Sequence, residues 1–193
     1  MIQRTLILLK PDAVARGLSG EIISRIERCG LKLIAAKLVK PNLEIGRKHY
    51  HKDSEWKIKV GERAIQECNE FGLDYKEIFE TDSPLEIGNS VVERNAEFLN
   101  SGAVFAMIFL GPNAVKKVRN LIGSTFPEAA NPGTIRGDYG LENSFTGTKR
   151  KRTTYNLIHA SGAVEEAEEE IKIWFKPDDI VNYRQTHEDL YGY

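Results

Sequence analysis

A single histidine at the end of a short apolar run is the first residue in this chain that could do chemistry. In Tyr155-Asn156-Leu157-Ile158-His159-Ala160-Ser161 the run reads as a strand over Tyr155 to Ile158, and a helix is expected to follow. A strand end holds its backbone still, and a helix N-terminus favours nearby anions. A histidine so placed suits phosphate binding or nucleophilic attack on phosphorus, although for a lone histidine a hydrogen-bonded structural role is the commoner one. The second candidate lies in a long irregular stretch from Ser124 to about Thr148, rich in Gly, Pro and Asn. A loop of that length in a compact domain is usually functional or disordered. Its segment Asn131-Pro132-Gly133-Thr134-Ile135-Arg136-Gly137-Asp138-Tyr139 is stiffened by proline and carries one arginine, whose guanidinium could grip a phosphate in bidentate fashion or simply face solvent. Lys10, in Leu9-Lys10-Pro11-Asp12, stands at the mouth of an apolar run and could share a crevice with His159 if their strands are neighbours.

The elements that must position these residues follow from apolar periodicity. Thr5 to Leu9 and Ala103 to Leu110 are continuous apolar runs, the pattern of strands covered on both faces. Leu31 to Val39 reads as another strand. Helices are expected from Ser19, as cap, to Gly30, as stop; over Asn42 to Tyr50; over Val91 to Leu99; from Pro112 to Gly123; and over Ala163 to Phe175, with Val164, Ala167, Ile171 and Trp174 inward. Between Asp53 and about Ser90 the chain turns polar. There Val60, Ala64, Ile65 and Cys68 recur at helical spacing, and Asp82-Ser83-Pro84 signals a further helix start, so this stretch reads as an inserted helical excursion. The tail from Lys176 to Tyr193 is polar with scattered aromatics. Strands separated by helices point to an α/β sandwich.

Composition narrows the classes. The 193 residues are 41% hydrophobic and 28% charged, enough for one domain with a real core, and no internal repeat is visible. The net charge of -1, from 27 basic and 28 acidic residues, argues against a nucleic-acid partner. Lys149-Arg150-Lys151-Arg152 is the one basic run; a solvated loop is its first reading, with phosphate binding or a subunit contact behind it. Cys29 and Cys68 lack metal-site spacing and read as two small buried apolar side chains in a reducing compartment. No stretch is long and apolar enough for a membrane span, so a soluble cytoplasmic protein is expected.

No candidate is strong alone, but together they form a pattern. Leu9-Lys10-Pro11-Asp12 with Arg16-Gly17-Leu18 and Gly20-Glu21-Ile22-Ile23, then Ser101-Gly102-Ala103-Val104 with Ala106-Met107, Pro132-Gly133-Thr134-Ile135-Arg136-Gly137-Asp138-Tyr139, and Asn156-Leu157-Ile158-His159-Ala160-Ser161 occur in the order of the nucleoside diphosphate kinase family, which the chain resembles. The likeness continues through Glu170, Trp174-Phe175 and Pro177, and covers residues 1–50 and about 91–183. It implies one domain over residues 1–193 with insertions at about 53–90 and 141–154. The implied fold is a ferredoxin-like α/β sandwich with a four-stranded antiparallel sheet covered by helices. The implied reaction is ping-pong: a histidine takes the γ-phosphate of ATP and passes it to a nucleoside diphosphate. Carried over, His159 is that nucleophile, and Glu170 orients its ring with support from Ser161. Lys10, Arg119 and Arg136 match the phosphate-binding cations, and Thr125 a hydroxyl that contacts phosphate. Asn156 matches a residue at the sugar and phosphate end, and Tyr50 a tyrosine near the phosphates. Mg²⁺ would travel on the nucleotide phosphates with no protein ligands, and the chain would form a homo-oligomer, hexamer or tetramer.

The sequence departs from the pattern at several positions. Val91 stands where the family usually has an aromatic residue stacking on the base, and Asn95 where an apolar neighbour is usual; Phe71, Tyr75 or Phe79 of the insertion could supply another ring. Gly162 replaces a usual aspartate, a change expected to alter the helix start, and Ala160 a usual glycine. These departures keep open a second reading, a catalytically weak nucleotide-binding or regulatory module of the same fold.

Overall fold

The computed structural model describes residues 1–186 and 188; the end of the expected tail and of the expected domain lies outside the described residues. The chain runs β1 (Ile2–Leu9), α1 (Pro11–Ala15), α2 (Ser19–Arg28), β2 (Lys32–Val39), α3 (Leu43–His49), α4 (Ser54–Glu70), α5 (Tyr75–Phe79), α6 (Pro84–Asn100), β3 (Val104–Pro112), α7 (Ala114–Ile122), α8 (Ile135–Tyr139), α9 (Ser144–Lys149), β4 (Ile158–Ala160) and α10 (Val164–Trp174). The sheet order is β2-β3-β1-β4, and every pairing is antiparallel. This is the four-stranded antiparallel sheet with helices that the family fold implied.

The continuous apolar runs are explained by two cores. Successive side chains of β1 alternate between the faces of the sheet. Ile7 and Leu9 join Met107, Phe109, Ile22, Ile26, Val118 and Ile122 on the α2/α7 side. Leu6 and Leu8 join Ile108, Ile34, Leu99, Ile171 and Trp174 on the α6/α10 side. The same alternation sorts β4: Ile158 and Ala160 belong to the first core, so His159 between them faces the second.

Several expectations shift. The last strand is Ile158–Ala160, not Tyr155 to Ile158, because Leu157 adopts a left-handed conformation (φ 69°) that ends pairing on its N-terminal side. His159 therefore lies inside the strand, paired with Leu8, and not beyond its end. Ser19 is the first helical residue of α2 rather than its cap, while Gly30, at φ 76°, stops the helix as expected. Pro112 closes β3 instead of opening α7. The two separate helix signals at Ser83-Pro84 and Val91 belong to one 17-residue helix, α6, capped by Ser83. The long loop holds two short helices, α8 and α9, each capped by a side-chain oxygen, of Thr134 and Asn143. Cys68 is buried, but Cys29 is exposed, since it follows the last turn of α2.

The stretch from α4 to the start of α6 is docked firmly on the fold. α4 crosses α6 at two glycines: a Cβ on Gly61 would meet the Pro84 carbonyl oxygen at 1.9 Å, and one on Gly88 the Lys57 carbonyl oxygen at 2.0 Å. Across its far side this stretch meets residues 141–154, with Phe71 edge-on to Phe145 at 5.5 Å and Lys151 Nζ donating to Glu77 O at 2.9 Å. Because both neighbours of the glycines are backbone, Gly88→Ala should destabilise the protein by about 1–3 kcal/mol through overpacking, outweighing the roughly 1 kcal/mol that alanine gains in a helix. Thermal unfolding would read this as a lower melting temperature; a variant that melts higher would contradict the tight crossing.

Candidate active site

β4 is only three residues long, so its position depends on the residues around it. Leu157 N donates to Asp12 Oδ2 at 3.0 Å, and Leu157 O accepts from Lys10 N at 2.8 Å. Arg136, 4% exposed, is turned inward onto backbone oxygens. Its Nε donates to Asn156 O, its Nη1 to Gly123 O and Ser124 O, and its Nη2 to Ile158 O at 2.6 Å. A guanidinium has five N–H groups. Four are taken by these carbonyls, which leaves one on Nη2 for a ligand. Arg136 thus clamps the loop to β4 on either side of Leu157, a role the sequence did not reveal.

The clamp opens onto a cleft of about 380 Å³ lined by Lys10, Tyr50, Arg119, Thr125, Arg136, Asn156, His159 and Glu170. Eight of the nine residues singled out from the sequence therefore share one cleft. The ninth, Ser161, is fully buried behind it, where its hydroxyl accepts from Leu6 N at 3.2 Å and donates to Glu170 Oε2 at 2.6 Å. Glu170, one of five glutamates on α10, is 3% exposed rather than solvated. Its Oε1 lies 3.0 Å from His159 Nε2, though the approach is too bent for a well-formed hydrogen bond. Nδ1 of His159 bonds to no described residue, and the side chain is 19% exposed, at the cleft.

Burial pushes the His159 imidazole down to about 3, and the nearby Lys10 cation adds to the effect; Arg136 and Arg119 push the same way. The ring is therefore neutral at pH 7. Lys10 Nζ donates to Asn156 Oδ1 at 2.8 Å, and Asn156 Nδ2 donates to Thr125 O at 2.8 Å, a relay that aligns the lysine with the loop. Burial, with Arg136 beside it, lowers the Lys10 ammonium to about 8. Desolvation holds the Tyr50 phenol well above its ordinary value, so it remains a donor. Arg119, in the last turn of α7, makes no hydrogen bond among the described residues.

The sequence reading missed His49. It is 3% exposed, and its ring stands edge-on to His159 at 4.3 Å between centroids. Trp174 Nε1 donates to its Nδ1 at 3.3 Å, which places the His49 proton on Nε2. Burial keeps this imidazole well below its ordinary value. The signal was a histidine beside Tyr50 at the end of α3, in a helix too short to show periodicity. His49, His159 and Glu170 offer ligand atoms within 4.8 Å of one another, an imidazole-rich set suited to zinc or copper more than magnesium. At Gly162 the backbone N–H is taken by Glu166 Oε2 at 2.6 Å, and α10 begins after an N-cap, Ala163, without a side-chain cap. Of the candidate rings in the insertion, Phe79 alone reaches the cleft, and Arg94 already lies over it at 4.6 Å.

Neutral rings imply a direct observable. In proton NMR, neither His159 nor His49 should titrate between pH 5 and pH 8. A midpoint near 6.5 for His159 would mean that the ring is more solvated than the structure has it.

Comparison with known proteins agrees with this geometry. The family model described as nucleoside diphosphate kinase matches residues 3–58 and 86–180, leaving most of α4 and α5 unmatched and spanning the second segment at 141–154. A nucleoside diphosphate kinase of Pyrobaculum aerophilum is 41% identical over 180 residues, covering 93% of this chain and 98% of the relative. The crystal structure of an NDP kinase from the same organism superposes with a TM-score of 0.92 at 39% identity, over 94% of this chain and all of that one. A transition-state mimic of the Borrelia burgdorferi enzyme, with bound vanadate and ADP, gives a TM-score of 0.76 at 34% identity, covering 97% of this chain and 95% of that chain. The chain belongs to the nucleoside diphosphate kinase family.

Proposed function

We propose that this protein moves the γ-phosphate of ATP to nucleoside diphosphates by a ping-pong cycle through a phosphohistidine on His159 Nδ1. The carrying observation is a neutral imidazole with Nε2 against a buried carboxylate and Nδ1 open to a cleft lined by cations. Glu170 favours the tautomer with its proton on Nε2, which leaves the Nδ1 lone pair for phosphorus. Ser161 holds Glu170 in place. Transfer to and from phosphorus needs in-line placement and neutralised equatorial oxygens. Lys10, Arg119 and the free Nη2 hydrogen of Arg136 supply the charge, while the Thr125 hydroxyl and Tyr50 complete the phosphate end. Asn156 fixes Lys10 and meets the sugar.

The donor set of the cleft agrees with a magnesium ion carried by the nucleotide. Its phosphate end offers ammonium and guanidinium groups, and the one ligand set with metal spacing among the described residues is rich in nitrogen. When bound, Mg²⁺ would neutralise phosphate charge; the protein's part is to hold the phosphates. We further infer a homo-oligomer, hexamer or tetramer, since β2 is an edge strand carrying Leu38 at 62% exposure. No helix among the described residues is long and apolar enough to cross a membrane; the cytoplasm is the proposed site of action, where Cys29 and Cys68 stay reduced.

Incubation with γ-labelled ATP and Mg²⁺ should place an acid-labile, base-stable label on the protein that GDP removes. His159→Ala should abolish labelling in folded protein, and transfer that persists would move the nucleophile elsewhere. A folded wild type that takes no label would instead favour the binding or regulatory module. In the free enzyme Lys10 is charged below about pH 8 and loses its proton above it. Accordingly kcat/KM should fall as pH rises past about 8, and a profile level to pH 10 would remove Lys10 from phosphate binding.

A further inference from the structure

We infer that Arg152, the last residue of the basic run, is the platform on which the nucleobase stacks. The inference rests on the cleft being the nucleotide site. Four aromatic rings line this cleft, Tyr50, Trp56, Phe79 and Phe126, and Trp56, in the first turn of α4, is partly exposed. Phe79 carries the Arg94 guanidinium at 4.6 Å, and Phe126 carries that of Arg63 at 5.0 Å. A flat partner for a base need not be a ring, and a guanidinium plane is another.

Arg152 is built for that use. Tyr155 stacks on Phe98, with centroids 4.3 Å apart and planes 10° apart, and the Arg152 guanidinium lies over the Tyr155 ring at 3.9 Å. The three groups form one column. In its own plane the guanidinium is fixed at its edges: Nη1 donates to Glu142 Oε2 and to Thr153 O, both at 2.8 Å, and Nη2 pairs with Glu142 Oε1. Glu142 is itself held by Tyr155 N at 2.7 Å. With one face on tyrosine and three of its five N–H groups engaged, Arg152 lines the cleft with its second face uncovered by any ring. That face suits an aromatic base more than a phosphate. The other three basic residues differ: Lys149 lies over Phe145, Lys151 bonds to Glu77 O, and Arg150 does not line the cleft.

Placement along the chain agrees. Thr153, Thr154 and Asn156 line the cleft between Arg152 and the Lys10 contact. Four residues of extended chain span at most ~14 Å, comparable with the reach of a nucleotide from its phosphates to its base. Val60 and Ala64 of α4 and Val91 of α6 supply apolar wall in the same cleft. A stacking platform reads no hydrogen-bond pattern, so the site accepts all bases.

Steady-state kinetics with ADP, GDP, CDP and UDP tests this. In Arg152→Ala the KM for each should rise about five- to tenfold, equivalent to about 1–1.4 kcal/mol, by a similar factor for every base, and by more than kcat falls. Arg152→Lys keeps a charge but no plane, so it should behave like the alanine variant, and it carries the test alone if the alanine variant does not fold. Inhibition by inorganic pyrophosphate, which has no base, should change little in either variant. The proposal is overturned if lysine restores the wild-type KM, if neither variant changes KM, or if pyrophosphate inhibition weakens in parallel, since Arg152 would then act as a phosphate charge. Wild-type protein that takes no label from γ-labelled ATP would remove the nucleotide reading itself; a labelled wild type with unchanged variants removes the platform alone.

Discussion

The His159 imidazole stands on a strand of three residues, and that strand has few ladder bonds with which to hold a side chain still. β4 pairs with β1 only at Ile7, Leu8 and Leu9. Rigidity comes from the strained turn that precedes it: Leu157 is held left-handed between Asp12 and the Lys10 backbone, while the Arg136 guanidinium ties together Gly123, Ser124, Asn156 and Ile158. A left-handed non-glycine residue costs of order 1–3 kcal/mol and persists only where its surroundings over-determine it. Here a buried guanidinium and a carboxylate do so. Lysine could not replace this arginine, because an ammonium has three donors and no planar fork to meet four carbonyls.

Burial does two jobs in the same place. It keeps His159 unprotonated without a base to remove its proton, and it lowers Lys10 so that the ammonium is held at little electrostatic advantage until an anion arrives. The two effects have a common source, since each group lies where charge is poorly solvated and each cation depresses its neighbours. A polyphosphate entering the cleft reverses the balance by supplying the missing counter-charge. The site is poised for an anion by the unfavourable state it adopts in the absence of one.

The sheet was legible because its strands are apolar on both faces, and β1 and β3 appear in the sequence as unbroken runs. The helices α2, α7 and α10 were legible from their stripes. The last strand was misplaced by two to three residues because a leucine in left-handed conformation has no sequence signature of the kind glycine gives. α8 and α9 were hidden in a loop by their length, under two turns each. At the site, residue types pointed to His159, Lys10 and Arg136, while Glu170 entered only through the family resemblance. Which of the arginines spends its donors on the protein's own carbonyls did not follow from type or spacing, nor did the second imidazole, His49. Both depend on contacts between elements distant in sequence, such as Trp174 with His49, and those exist only after the sheet has formed.

The α4–α5 stretch and the residues around α9 touch each other beyond the cleft, through Phe71 with Phe145 and Lys151 with the chain at Glu77. The reaction chamber has one reactive atom and one set of walls, so donor and acceptor must visit in turn and leave by the way they came. A spent donor is chemically the same kind of molecule as a fresh acceptor, and it competes for an empty chamber. Such an arrangement has no built-in direction: it levels the phosphorylation of whatever mixture surrounds it, and the ratio of charged to uncharged nucleotides outside decides which way the traffic runs.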